Sequence, residues 1–416
     1  MKKPVNLLIV IEALVLAAVI VLCLFSSATS GITGLLGGIG SSDTTASGDG
    51  SEDNALGASG DAASGNASGA EGAADTRSAQ EETEASQTSA NDTDDTYDTL
   101  RLTFSDEVEE LLTSLTTEQL VAILFITTPE ELTGVDAVTI AGDGTSAALT
   151  SYPVSGLVYS AQNFASTEQA QDLLNGTQEY SQDSIELDLF LIVEELGGED
   201  ASPVATSCGF EVQRSPSSLA ETGSTSDVKE AAQNRADYLT DVGINAVLGP
   251  IADAATGEDD AFDTLTYGDS ALNAADYVAA DVSALEGAGV ISILQAFPGV
   301  KEAADDYSAY QAAIDAGVSM IQVSSVGDSV LSADTTRTLR DEMGFDGVIV
   351  TDDLSEQDDV GSAAVTALKA GMNLLYVTDG FEEAYDAVLA AVESGELTQT
   401  VFMNAAGRVL TARGAL

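Results

Sequence analysis

The sequence predicts an α/β protein built as a (β/α)8 barrel of the TIM type, and three observations carry that expectation. From about Tyr97 onward, apolar runs of strand character alternate with Ala-rich amphipathic stretches. Gly243-Ile244, Gly289-Val290 and Gly317-Val318 each close a helical stretch and open the next apolar run. Seven or eight such units fit within roughly 300 residues, which favours a closed parallel barrel over an open doubly wound sheet.

In chain order, Lys2-Lys3 precede the apolar run VNLLIVIEALVLAAVIVLCLF, Val5 to Phe25. About twenty such residues are long enough to cross a bilayer as a helix, and lysines before the run favour a cytoplasmic N-terminus. Residues 1–30 are therefore expected to be a membrane anchor, although Glu12 inside the run is a cost. A signal segment cleaved near the small residues SSATSG is the alternative, and it would make the protein secreted. Residues 31–96 are Ser, Thr, Ala, Gly, Asp and Glu with almost no large apolar side chains, so they are expected to be a disordered, self-repelling linker. Residues 97–416 form the barrel domain, placed outside the membrane. Its expected strands are GLVYS (156–160), LFLIVEE (189–195), INAVLGPIAD (244–253), GVISILQAF (289–297), SMIQVSS (319–325), GVIVTDD (347–353) and MNLLYVTD (372–379).

Composition then narrows the chemistry. With 69 Asp plus Glu against 13 Lys plus Arg, the formal charge is −56, which argues against nucleic acid as a partner. Salt adaptation and simple surface exposure would both give such acidity. The chain has no histidine, so Ser-His-Asp and Cys-His relays and His-ligated zinc are excluded. Cys23 and Cys208 form no disulfide framework, and no metal or other cofactor is called for. Acid–base work would fall to carboxylates, tyrosines or the few lysines.

The string LRDEMGFDGVIVTDDLS (339–355) resembles the nucleophile segment of family 3 glycoside hydrolases, in the bacterial β-N-acetylglucosaminidase branch. The likeness extends through LTTEQLVAILFI (115–126), similar to the family's opening helix, VSGLVYSAQNFASTEQAQDL (154–173), LIVEELGG (191–198), GINAVLGPIAD (243–253), ILQAFPG (293–299) and DYSAYQAAIDAGVSMIQVS (306–324), in the family's order. This resemblance implies retaining hydrolysis of β-linked N-acetylglucosaminides, with a carbohydrate as partner. It makes Asp352 the nucleophile that forms a covalent glycosyl-enzyme and Glu194 the substrate-binding acid.

Other family positions have changed. The glutamate of V-D-Q-E-G-G is Leu196, the sugar-gripping arginine is Leu265, the lysine and histidines of K-H-F-P-G-H-G are Gln295, Ala296 and Val300, and a further histidine is Ser325. The D-S-H string that supplies an acid–base dyad has no counterpart, because Phe297 runs within a few residues into the next helix, at whose start Asp306 stands. Glu302, Asp305 and Glu194 are the candidates to replace that acid–base. Asp353 points to the opposite face of its strand from Asp352 and is expected to cap or brace. The combined losses imply weak or absent turnover. A non-catalytic glycan- or protein-binding module and a purely structural surface protein are the alternatives.

Overall fold

The computed structural model describes Tyr97 and residues 100–416 apart from 256, 258, 259, 301 and 415. The expected anchor and linker lie outside the described residues, among which no helix is long and apolar enough to cross a membrane.

Eight parallel strands close into a barrel in sequence order: β1 (Phe125–Thr127), β2 (Gly156–Tyr159), β3 (Phe190–Val193), β4 (Ala246–Ile251), β5 (Ile291–Phe297), β6 (Met320–Val323), β7 (Val348–Asp353) and β8 (Leu374–Val377). Strand β8 pairs with β1 through Phe125 opposite Leu375, which completes the ring. Seven of the eight strands fall within the expected runs. Strand β1 is the exception, because it lies inside a stretch assigned to a helix. Leu120 to Ile126 is apolar throughout, so periodicity could not separate the helix Thr117–Ala122 from the three-residue strand that follows it.

The helices packed outside include α1 (Asp106–Ser114), α2 (Thr117–Ala122), α3 (Thr167–Ile185), α4 (Thr225–Val242), α5 (Ala271–Gly287), α6 (Ser308–Asp315), α7 (Val360–Lys369), α8 (Phe381–Ser394) and α9 (Gln399–Arg413). Ser166, Ser224 and Ser270 each accept a backbone N–H at the start of α3, α4 and α5. The expected Gly-Ile and Gly-Val exits are observed. Gly243 and Gly317 take φ of 102° and 90°, and the N–H groups of Ile244 and Val318 bond back to the carbonyls of Leu239 and Ala313. A side chain would be strained in that left-handed conformation, so these positions end a helix and aim the chain into the barrel.

Strand alternation sorts the core into two shells. Ile126, Phe190, Ile192, Leu248, Ile293, Met320, Val348, Val350 and Leu374 fill the barrel interior, whereas Leu191, Val193, Ile321, Ile349, Leu375 and Val377 face the helices. Val409 of α9 joins the interior cluster, and Arg413 donates Nε–H to the carbonyl of Asp188, just before β3, at 2.7 Å. Helix α9 therefore seals the N-terminal end of the barrel. The opposite end, where the strands finish, is left to polar side chains.

Candidate active site

Carrying the interior alternation one step past the apolar shell gives the composition of the mouth. After Phe190 and Ile192 comes Glu194, after Ile291 and Ile293 comes Gln295, after Met320 comes Gln322, after Val348 and Val350 comes Asp352, and after Leu374 comes Tyr376. Glu194 and Gln295 hydrogen-bond through their side chains across the intervening strand β4. The packed protein around the mouth pushes the Glu194 carboxyl above its usual range, opposed by the Gln295 bond, although its side chain still reaches solvent. Asp352 accepts the backbone N–H of Ser325 on Oδ2 at 3.0 Å. The Ser325 hydroxyl is buried without a hydrogen-bond partner among the described residues, as is that of Thr127 at the end of β1. Tyr376 stands near Asp353, Glu194 and Asp352, and burial together with these three carboxylates pushes its hydroxyl well above the usual phenol range. It stays a proton donor at any physiological pH. Sequence reading missed Tyr376, and the signal that could have found it was its inward register in LLYV.

Asp353 pairs with Tyr376 past a register shift in β7, and its carboxylate is tied to the loops that follow the two strands. Its Oδ1 accepts the N–H of Ser355 at 3.0 Å, the hydroxyl of Ser355 at 2.7 Å and the N–H of Thr378 at 3.1 Å, and its Oδ2 accepts the Thr378 hydroxyl. It is a brace between the ends of β7 and β8, the capping or bracing role expected of it. Asp353→Ala is expected to cost about 2–3 kcal/mol, because a charge-assisted acceptor is lost and its donors are left unpaired. Urea denaturation measures that loss.

Beside the polar layer, Leu196, Ala201 and Ile251 form a separate apolar cluster against which Phe262, Leu265 and Val300 pack. Three of these side chains stand where the resemblance places a glutamate, an arginine and a histidine. The turn after β5, where the resemblance places an acid–base loop, is short and closed. Ala304 N–H bonds to Pro298 O at 2.8 Å, Ser324 Oγ donates to Gly299 O at 2.6 Å, and Val300 N–H donates to Asp253 Oδ2 at 2.8 Å. A Cβ on Gly299 would overlap the carbonyl oxygen of Glu302, so the FPG string survives as the residue type this closed turn requires. Asp306 accepts the N–H of Ser308 at 2.9 Å and so stands at the start of α6.

Glu302 and Asp305 lie beyond that turn. They line an open cleft of about 830 Å³ together with Asp253, Asp269 and Asp306, and neither Asp352 nor Glu194 belongs to that lining. Of the proposed site residues, the structure brings Asp352 and Glu194 to one mouth and turns Glu302 and Asp305 toward a neighbouring cleft.

A second residue missed from sequence, Glu195, fixes the turn that carries Glu194. Its buried carboxylate accepts the N–H groups of Val204 and Ala205 at 2.9 and 3.2 Å and the hydroxyl of Tyr238 at 2.8 Å. Arg235 donates to Leu196 O at 2.7 Å and pairs with buried Asp281, which also receives the Tyr267 hydroxyl at 2.5 Å. This polar scaffold was hidden in the sequence because its members come from four separate elements.

A closed parallel barrel whose mouth gathers carboxylates at the strand ends defines a TIM-type barrel with its candidate site at the C-terminal face. The family described as "Glycosyl hydrolase family 3 N terminal domain" matches residues 119–308 and 301–412, so the chain belongs to glycosyl hydrolase family 3. Beta-hexosaminidase LpqI of Mycobacterium tuberculosis (strain ATCC 25618 / H37Rv) is 26% identical over 236 residues, covering 47% of this chain and 61% of that protein. The chain thus matches less than two thirds of that relative's length. Among solved structures, a family 3 β-N-acetylglucosaminidase from Paenibacillus sp. str. FPU-7 superposes with a TM-score of 0.64 at 26% identity, over 73% of this chain and 63% of that one. A β-N-acetylhexosaminidase from Beutenbergia cavernae DSM 12333 gives 0.64 at 23% identity, over 72% and 99%, and shares the fold.

Proposed function

We propose that this is a hexosaminidase-like barrel that recognises β-linked N-acetylglucosaminides at the cell surface and cleaves them slowly or not at all. Asp352 holds the nucleophile position, and Glu194, Gln295 and Tyr376 contact the sugar. The carrying observation is the apolar cluster of Leu196, Leu265 and Val300, which stands where the resemblance places a glutamate, a sugar-gripping arginine and a histidine. General acid help is worth roughly 10²–10⁴-fold, and the chain makes a short closed turn after β5 where the loop that supplies it would stand. Tethering by the N-terminal run would keep this mouth outside the membrane.

One observation favours a second reading, a working hydrolase with its acid relocated to Glu194. That carboxyl is raised by desolvation and shares the mouth with Asp352. Turnover of an activated aryl N-acetylglucosaminide by the full chain, beside Asp352→Asn and Glu194→Gln, tests both. An activated leaving group needs little acid help, so wild type is expected to show a burst or slow release that Asp352→Asn abolishes. If wild type and Asp352→Asn are equally silent, the nucleophile reading of Asp352 is wrong. Under the second reading, Glu194→Gln slows an unactivated glycoside by about 10²-fold or more and the activated one far less.

A further inference from the structure

At the end of the barrel opposite the mouth, a cavity of about 180 Å³ is lined by Tyr97, Arg340, Asp341, Asp346, Asn373 and Arg408, among others. Cations are scarce in this chain, 13 Lys plus Arg against 69 acids, yet two of them converge here. Part of each guanidinium holds the turn before β7. Arg340 donates to Phe345 O at 2.5 Å and to Asn373 Oδ1 at 2.8 Å, and Arg408 donates to Asp346 O. Each arginine carries five N–H groups, so most donors of the pair are uncommitted by these bonds.

The nearby acids do not neutralise them closely. The Asp346 carboxylate is 4.0 Å from Arg408 and is 97% exposed, while the Asp341 carboxylate accepts the Tyr97 hydroxyl at 3.2 Å. Burial, and then the facing Arg408, push Arg340 down to about 9, opposed by Tyr97 and Asp346, as expected for two cations drawn into one cavity. Such a pair calls for a dianion, and a phosphate monoester is one near neutral pH with oxygens that match guanidinium forks.

We propose that Arg340 and Arg408 form a binding site for a small phosphate-bearing molecule at the N-terminal end of the barrel. The site is remote from the mouth and independent of whether the mouth is catalytic. Acids beyond the cavity are screened past about 8 Å at physiological salt, so the two arginines act locally against only the lining Asp341 and Asp346.

Inorganic phosphate is the probe, titrated calorimetrically into the full chain against chloride at constant ionic strength. One saturable site per chain is expected. Arg408→Gln should weaken it by roughly tenfold or more, the loss of one charge-assisted hydrogen bond. Arg337→Gln, an exposed arginine outside the cavity, should leave it unchanged. No saturable heat below about 20 mM phosphate, equal binding by Arg408→Gln, or acetate binding as tightly as phosphate would each overturn the proposal.

Discussion

Leu196→Glu is expected to destabilise the barrel by about 3–5 kcal/mol at neutral pH, even though it restores the acid that the family places there. Leu196 is 2% exposed and packs with Ala201, Ile251, Phe262, Leu265 and Val300, so the new carboxylate would enter apolar surroundings. Its folded-state pKa would rise above the unfolded value near 4.3. Between those two values the folded state binds more protons than the unfolded one, so stability falls as pH increases through that window. Below about pH 4 only the cost of lost packing remains. Urea midpoints measured at pH 4 and pH 7 should therefore diverge for the variant relative to wild type.

Adding Leu265→Arg supplies an opposite charge. If the two positions form one unit, the double variant recovers about 0.5–3 kcal/mol relative to the sum of the singles. Additive effects would mean that the two positions are energetically independent. Recovery of stability together with a gain in aryl N-acetylglucosaminide turnover would tie the apolar cluster directly to turnover.

Asp281→Ala is the second large effect, again about 3–5 kcal/mol. The side chains of Arg235 and Asp281 are 4% and 0% exposed, and Arg235 Nε has no hydrogen-bond partner among the described residues. Removing Asp281 strands a buried cation and frees the Tyr267 hydroxyl that it accepted. Because Arg235 also holds the carbonyl of Leu196, the loss extends to the turn that carries Glu194. A drop in the urea midpoint at unchanged slope is the expected result. Replacing both partners by apolar residues, Arg235→Met with Asp281→Leu, should recover most of the loss, since a buried pair is costly mainly when half of it is removed. A loss below about 1 kcal/mol in the single variant would contradict a fully desolvated pair.

Much of the fold was legible because it rests on local signals. Serines at helix starts, glycines at helix ends and continuous apolar strands each act within a few residues, and together they specify a parallel barrel. Strand β1 was not legible, since three residues continuous with an apolar helix have no period of their own. The place of Asp352 at a strand end was legible in its flanking string, whereas the bulge that puts Asp353 in register with Tyr376 was not, because simple alternation carries no signal for it. Glu194 was named as a sugar-binding acid, but its bond to Gln295 crosses from β3 to β5 and no sequence spacing announces it.

By itself, the sequence determined the family, the barrel and the absence of histidine chemistry. Only the tertiary structure decided which side chains share a space. It put Tyr376 among three carboxylates, turned Glu302 and Asp305 into a separate cleft, and packed Leu196, Leu265 and Val300 against a single cluster. The physical reason is range. Backbone propensity and alternation act between near neighbours, whereas a site is assembled from strand ends tens of residues apart, whose distances are set by barrel closure.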